Sequence, residues 1–237
     1  MMTKRTETVR VPDGEFSLNV WLPEKGSGPG ILLIQEIFGV GDYMAAVAGD
    51  LTSLGYVVAA PDMFWRIERD WSVEHSETML AEAGDKVSKF DWTKGPDDLE
   101  AALDRMRELP EVSGGAGAIG FCFGGSLAYV LAARASAKLD AVVSFYGSRV
   151  SDYLDRVGEI TVPIQFHFGG SDPYIPREEV ATVEAAVTGR DNVEFHVQED
   201  GGHAFHNRTA PMFSQPEPAA RAWALTEDFL ARNLPVA

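Results

Sequence analysis

Short apolar runs alternate along the chain with segments of helical periodicity. Each run is too apolar to have one face in water, which is typical of parallel strands covered on both sides. These runs predict buried strands at residues 30–35, 56–60, 117–121 and 141–146. The segments between them predict helices at residues 43–54, 96–109 and 124–135. Strands that alternate with helices imply right-handed crossovers and a doubly wound sheet.

The two ends of the chain extend this pattern. Residues 6–22 alternate apolar and polar positions around a Pro-Asp-Gly turn, which predicts an antiparallel hairpin at the sheet edge. The later elements are strands at 164–168 and 193–197 and helices at 177–187 and 218–230. We therefore expect one α/β domain over residues 1–237, a three-layer sandwich with a mostly parallel central sheet and an N-terminal antiparallel hairpin.

Residues 63–95 interrupt the alternation of strands and helices. Three tryptophans, Trp65, Trp71 and Trp92, lie there among many charged side chains. We predict an irregular excursion over the active face of the sheet.

Composition narrows the possible partners and cofactors. The formal charge of -16 disfavours nucleic acid and anionic membrane surfaces, because both would repel the chain. No apolar run approaches the roughly 18 to 20 residues of a membrane span, and the first residues lack a signal-peptide core, so we expect a cytoplasmic protein. The single cysteine, Cys122, excludes an intramolecular disulfide and a thiolate metal cluster. The remaining roles for it are packing, redox sensing and catalysis.

The neighbours of Cys122 favour catalysis. Residues 120–125 read GFCFGG, after a predicted buried strand and before a helix rich in small residues, which is the context of a nucleophile elbow. Glycines suit the close approach of the strand and helix backbones. The elbow would project Cys122 above the carboxyl ends of the strands, and the helix N-terminus would favour its thiolate. A tight packing site is the alternative interpretation of the same glycines.

Two downstream loops supply an acid and a base. GGSDP at residues 169–173 follows one predicted strand and GGHAF at 201–205 follows the next, so Asp172 and His203 come in the chain order of α/β-hydrolases. Each could alternatively be structural, Asp172 as a turn cap and His203 as a solvated loop histidine. The remaining histidines are interpreted as core or edge residues of strands (His167, His196), part of a polar helix-like stretch (His75) and a second pocket histidine (His206).

The segment QEIFG at residues 35–39 ends the first parallel strand, where such folds supply an oxyanion-hole amide. We assign that hole to the backbone N–H groups of Ile37 and Phe123. Glu36 would lie at the edge of the site, where it either faces water or faces Cys122 as an acceptor of the thiol proton. The sequence shows no metal-ligand spacing, so we predict no metal and no cofactor.

These motifs resemble the dienelactone hydrolase family over nearly the whole chain. The resemblance implies an α/β-hydrolase fold, a Cys-His-Asp triad with Glu36 beside the cysteine, and Tyr146 in the pocket. Together with Tyr146, we expect the substrate pocket to contain Phe38, Phe205, His206 and Arg208. Family members that act on carboxylate-bearing dienelactones grip the carboxylate with arginines. The candidates in this chain are Arg66, Arg69 and Arg208, and Ala204 replaces a frequent serine.

The predicted function is hydrolysis of lactones or small activated esters through a thioester acyl-enzyme. The alternatives are a thioesterase or general carboxylesterase using the same site, and a non-catalytic or redox-sensing protein on a hydrolase scaffold. We expect a small-molecule substrate as the partner and a monomer or weak homo-oligomer.

Overall fold

The computed structural model describes residues 3–237 and contains one eight-stranded sheet. The strands are β1 (Thr3–Val11), β2 (Gly14–Leu22), β3 (Gly28–Ile34), β4 (Val57–Pro61), β5 (Val112–Phe121), β6 (Ala141–Phe145), β7 (Ile164–Gly169) and β8 (Val193–Gln198). Their order across the sheet is β1-β2-β4-β3-β5-β6-β7-β8. The first two strands pair antiparallel, β2 joins β4 antiparallel, and all the other pairs are parallel.

Helices cover both faces of the sheet. They are α1 (Asp42–Ser53), α2 (Glu77–Ser88), α3 (Lys94–Arg107), α4 (Phe123–Ala135), α5 (Arg177–Val187) and α6 (Pro216–Asn233). Every residue of β3, β4, β6 and β7 is buried, which requires cover on both sides of these strands. The predicted three-layer α/β sandwich, with a mostly parallel central sheet and an N-terminal antiparallel hairpin, is confirmed.

The segment at 63–95 differs from the prediction. It is not irregular throughout, since it contains the whole of helix α2, which begins after Ser76 caps its first turn by accepting a hydrogen bond from the Met79 N–H. Its aromatic side chains are mostly core residues, because Phe64, Trp65 and Trp71 are nearly or fully buried. The sequence pattern missed this because the charged residues of α2 hide a weak apolar stripe that only tertiary packing makes useful.

The turn between β5 and α4 brings three backbone segments into contact. A side chain at Gly120 would overlap the carbonyl oxygen of Gly124, and a side chain at Gly124 would overlap that of Ile34 at the end of β3. A methyl group at either position would force the strand and helix apart. Glycine is therefore required here by space rather than by backbone torsion.

Replacing Gly120 by alanine tests this requirement. We expect Gly120→Ala to lower the free energy of unfolding by about 3 kcal/mol or more, because the added methyl group meets rigid backbone. Gly84→Ala is the matched control, since Gly84 lies on exposed α2 with open space around it. That change should raise the free energy of unfolding by up to about 1 kcal/mol. Urea unfolding of both variants measures the difference, and equal effects would contradict the close approach.

Candidate active site

Cys122 occupies a strained turn at the carboxyl end of β5. Its backbone has φ 53° and ψ −116°, a region that residues with a side chain rarely adopt. The turn is held from both sides, since the Cys122 N–H donates to the Phe145 carbonyl at 3.0 Å and the Ser126 N–H donates to the Cys122 carbonyl at 3.1 Å. The cysteine is mostly buried, with 9% exposure. Its sulfur therefore has a defined direction and limited access to solvent.

Two loops bring the predicted acid and base to this sulfur. His203, which follows β8, places Nε2 3.1 Å from the Cys122 sulfur and Nδ1 2.7 Å from Oδ2 of Asp172. Asp172, which follows β7, accepts hydrogen bonds at its other oxygen from the N–H groups of Tyr174 and Ile175. The carboxylate is thus fixed by its own loop, and it orients the imidazole toward the sulfur.

The protonation of His203 depends on its two neighbours. Burial on its own lowers the pKa of His203, but negative charge on the Cys122 sulfur and the hydrogen bond that His203 donates to Asp172 outweigh it and raise the pKa to about 10. The imidazolium form is therefore favoured at neutral pH. An imidazolium beside a sulfur stabilises the thiolate in turn.

A cavity of about 290 Å³ opens above the sulfur. Its lining is mostly apolar. The lining residues are Glu36, Ile37, Phe38, Leu80, Cys122, Ser148, Tyr174, His203, Ala204 and Phe213. Tyr174 is 58% exposed and its ring lies 5.1 Å from that of His203, so it forms part of the rim. A larger groove of about 680 Å³ lies between β1 and α3, but it contains none of the candidate catalytic residues.

Glu36 lies at the cavity, and its partner was missed from sequence. The Oε1 atom of Glu36 contacts Nε2 of His75, and the Asn207 amide nitrogen lies 2.9 Å from the same ring atom. Asn207 is held by Thr209, whose backbone N–H and hydroxyl both donate to its Oδ1. The sequence pattern places His75 in a polar helix-like stretch, whereas in the structure it precedes the N-cap of α2. The Ser76 cap was the available signal, because a histidine before the cap lies outside the helix and is free to turn inward.

Three of the expected pocket residues lie beneath the cavity rather than on its wall. Phe205 is fully buried, and Tyr146 and His206 are 1% and 4% exposed. Tyr146 and His206 both contact the hydroxyl of Tyr43, at 3.3 and 2.9 Å. They form a buried polar cluster that packs below the histidine loop. Phe38 is the expected pocket residue that does line the cavity.

The candidate arginines also lie elsewhere. Arg208 is paired with Asp50 on α1, with Nη1 2.6 Å from Oδ2. Arg66 binds Asp98 and Asp13, and the guanidinium of Arg69 lies 5.8 Å from the ring centre of Trp65. None of the three lines the cavity above Cys122. Contrary to the expected pocket, Arg208 does not line this cavity.

The predicted oxyanion hole consists of the backbone N–H groups of Ile37 and Phe123. Ile37 lines the cavity beside Cys122. Phe123 is the first residue of α4, and the first N–H groups of a helix have no partner within it.

Among residues 3–237, no cluster of three or more histidine, cysteine or acidic side chains is arranged to hold a metal ion, and no helix is long and apolar enough to cross a membrane.

The chain is similar to known proteins over most of its length. A sequence model described as the dienelactone hydrolase family matches residues 17–234. A carboxymethylenebutenolidase of Pseudomonas sp. strain P51 is 33% identical, over 94% of this chain and 92% of its own, and that of Pseudomonas putida is 32% identical, over 91% of each. The crystal structure of a dienelactone hydrolase-like promiscuous phosphotriesterase, P91, from metagenomic libraries superposes with a TM-score of 0.78 at 25% identity, covering 98% of this chain and 99% of that one.

The buried position of His206 predicts a pH-dependent stability. Burial and the charge of Arg208 lower the pKa of His206 to about 3, whereas the unfolded chain takes up that proton near its ordinary value of about 6.5. The contribution of neutral His206 to the free energy of unfolding is complete above pH 6.5, and it is lost as the pH falls toward 3. Each pH unit in that window should cost about 1.4 kcal/mol of unfolding free energy.

A His206→Asn variant isolates this contribution, because asparagine keeps a polar atom near Tyr43 and does not titrate. We expect the wild-type free energy of unfolding to fall more steeply than that of the variant between about pH 6.5 and 5. Urea unfolding at several pH values gives both curves, and parallel curves would contradict a neutral buried imidazole.

Proposed function

Since the chain belongs to the dienelactone hydrolase family, we propose that it hydrolyses lactones and small activated carboxylic esters with Cys122 as the nucleophile. The observation that carries this proposal is the continuous line of contacts from the Cys122 sulfur through His203 to Asp172, at 3.1 and 2.7 Å, on the strained turn after β5. The family match and the continuous sheet support one catalytic domain over the whole chain.

The first half of the reaction forms a thioester. The Cys122 thiolate attacks the carbonyl carbon, and the oxyanion receives hydrogen bonds from the backbone N–H groups of Ile37 and Phe123. As the tetrahedral intermediate collapses, the carbon–oxygen bond breaks and the imidazolium of His203 donates its proton to the leaving oxygen. In a lactone the leaving oxygen stays tethered to the acyl group.

The second half releases the acid. Neutral His203 takes a proton from water, which attacks the thioester carbonyl, and Cys122 leaves as a thiolate. Asp172 keeps the imidazole in the orientation that both proton transfers require. Because His203 ends as an imidazolium beside a thiolate, the site returns to its resting charge state.

Glu36 has a supporting part in this scheme. It lines the same cavity as Cys122, and its Oε1 atom contacts His75. We assign Glu36 two roles: to hold the segment before α2 at the site through His75, and to accept the proton of Cys122 when the thiol is not paired with His203. His203 remains the principal base, because its Nε2 atom is in direct contact with the sulfur.

Removing the sulfur tests the nucleophile. Cys122→Ala should lower kcat/KM for p-nitrophenyl butyrate at least about a thousandfold, because no other group can form the acyl-enzyme. The variant should stay folded, with an unfolding free energy within about 1.5 kcal/mol of the wild type. Wild-type protein quenched with acid during turnover should carry one butyryl group on Cys122 by mass spectrometry. Unchanged turnover in the alanine variant would overturn the proposal.

The ion pair between Cys122 and His203 predicts the pH dependence of thiol alkylation. A protonated His203 3.1 Å from the sulfur stabilises negative charge there, so at about pH 6 iodoacetamide should alkylate wild-type Cys122 faster than the Cys122 of a His203→Asn variant. His203→Asn should lose most of the reaction at the lower pH. A wild-type rate that instead rises only near the value of a free thiol, without ester turnover, would favour the redox-sensing alternative.

A further inference from the structure

We infer, on the premise of the proposed function, that the cavity above Cys122 selects esters and lactones whose acyl part is uncharged and excludes those whose acyl part carries a carboxylate. The wall of the cavity is built from Ile37, Phe38, Leu80, Ala204 and Phe213. Such side chains stabilise an apolar acyl group by removing it from water. They offer a carboxylate nothing in exchange for its hydration.

The cavity wall offers no free cation to a carboxylate on the substrate. Among the described residues 3–237, none of those lining the cavity is lysine or arginine. The imidazolium of His203 is already paired with Asp172 and the Cys122 sulfur. Arg149, which follows the lining residue Ser148 in sequence, lies over the ring of Trp92 at 4.4 Å and donates to Asp152.

The acidic groups of the site act in the same direction. Glu36 lies on the cavity wall and Asp172 lies behind His203. The whole chain adds a formal charge of -16, which lowers the local concentration of anionic substrates. A substrate carboxylate would therefore meet an apolar wall, acidic neighbours and an unfavourable long-range field. An uncharged acyl group of the same size would gain from the apolar wall without the cost of charge repulsion.

Leu80 is the position at which this selection can be altered. It lies on α2, is partly buried, and lines the cavity without belonging to the catalytic line of contacts. A long side chain at this edge can reach the cavity without entering the core. Arginine there would supply the missing cation.

Two isosteric substrates test the inference. Mono-p-nitrophenyl glutarate and p-nitrophenyl 5-oxohexanoate have acyl groups of nearly equal size that differ in a terminal carboxylate or methyl ketone. We expect kcat/KM for the glutarate to be at least about a hundredfold lower, after correction for spontaneous hydrolysis, because like-charge contact and desolvation act together. Equal kcat/KM for the two esters would overturn the inference.

Substitutions at Leu80 separate charge from size. Leu80→Arg should reduce the discrimination against the glutarate about tenfold or more, whereas Leu80→Gln, which is polar and uncharged, should leave the ratio near that of the wild type. Equal changes in both variants would show that charge does not set the selection, and would contradict the inference. If neither ester is hydrolysed by the wild type, the proposed function fails instead, and the two failures are thereby distinguished.

Discussion

The close approach of backbones at the start of α4 is the constraint on which the site depends. The carbonyl of Gly124 lies where a side chain of Gly120 would be, and Gly124 itself abuts the end of β3. This contact brings the first turn of α4 against two parallel strands at their carboxyl ends. Cys122 must then adopt a positive φ, and the hydrogen bonds to Phe145 and from Ser126 hold it there.

Around that turn, the electrostatics of the site are organised in a line of three side chains and a neighbouring pair. His203 is held between Asp172 and the Cys122 sulfur, and its raised pKa shows that these two neighbours prevail over burial. Glu36 contacts His75, which belongs to the segment leading into α2. The contact between Glu36 and His75 connects that segment to the residues that follow β3. Leu80, on the helix that follows this segment, lines the same cavity as Glu36.

The tyrosine and histidine cluster below the cavity has a different role. Tyr43, Tyr146 and His206 satisfy one another's polar atoms in a region that excludes water, and burial holds the pKa values of both tyrosines well above their ordinary range. All three are uncharged at neutral pH. They support the loop that carries His203 without adding charge beneath it, so the charge of the site is confined to the catalytic groups and Glu36.

The sequence by itself determined the order of strands and helices, the elbow around Cys122, and the positions of Asp172 and His203, because these features follow from local periodicity and from short motifs at strand ends. Its element boundaries agree with the structure to within a few residues, except that β5 begins five residues early, at Val112, and that α2 was hidden in the charged segment. Periodicity and short motifs involve residues that are close together in the chain, so the sequence alone is enough to recognise them.

Only the tertiary structure decided which other side chains reach the cavity. His75 and Leu80 arrive from a segment whose periodicity is weak, and Phe213 arrives from the loop before α6. Tyr146, Phe205 and His206 turn inward, and Arg208 turns out to Asp50. The physical reason is that a side chain's direction at a loop is set by packing and ion pairs between segments far apart in the chain. No pattern within one segment contains that information.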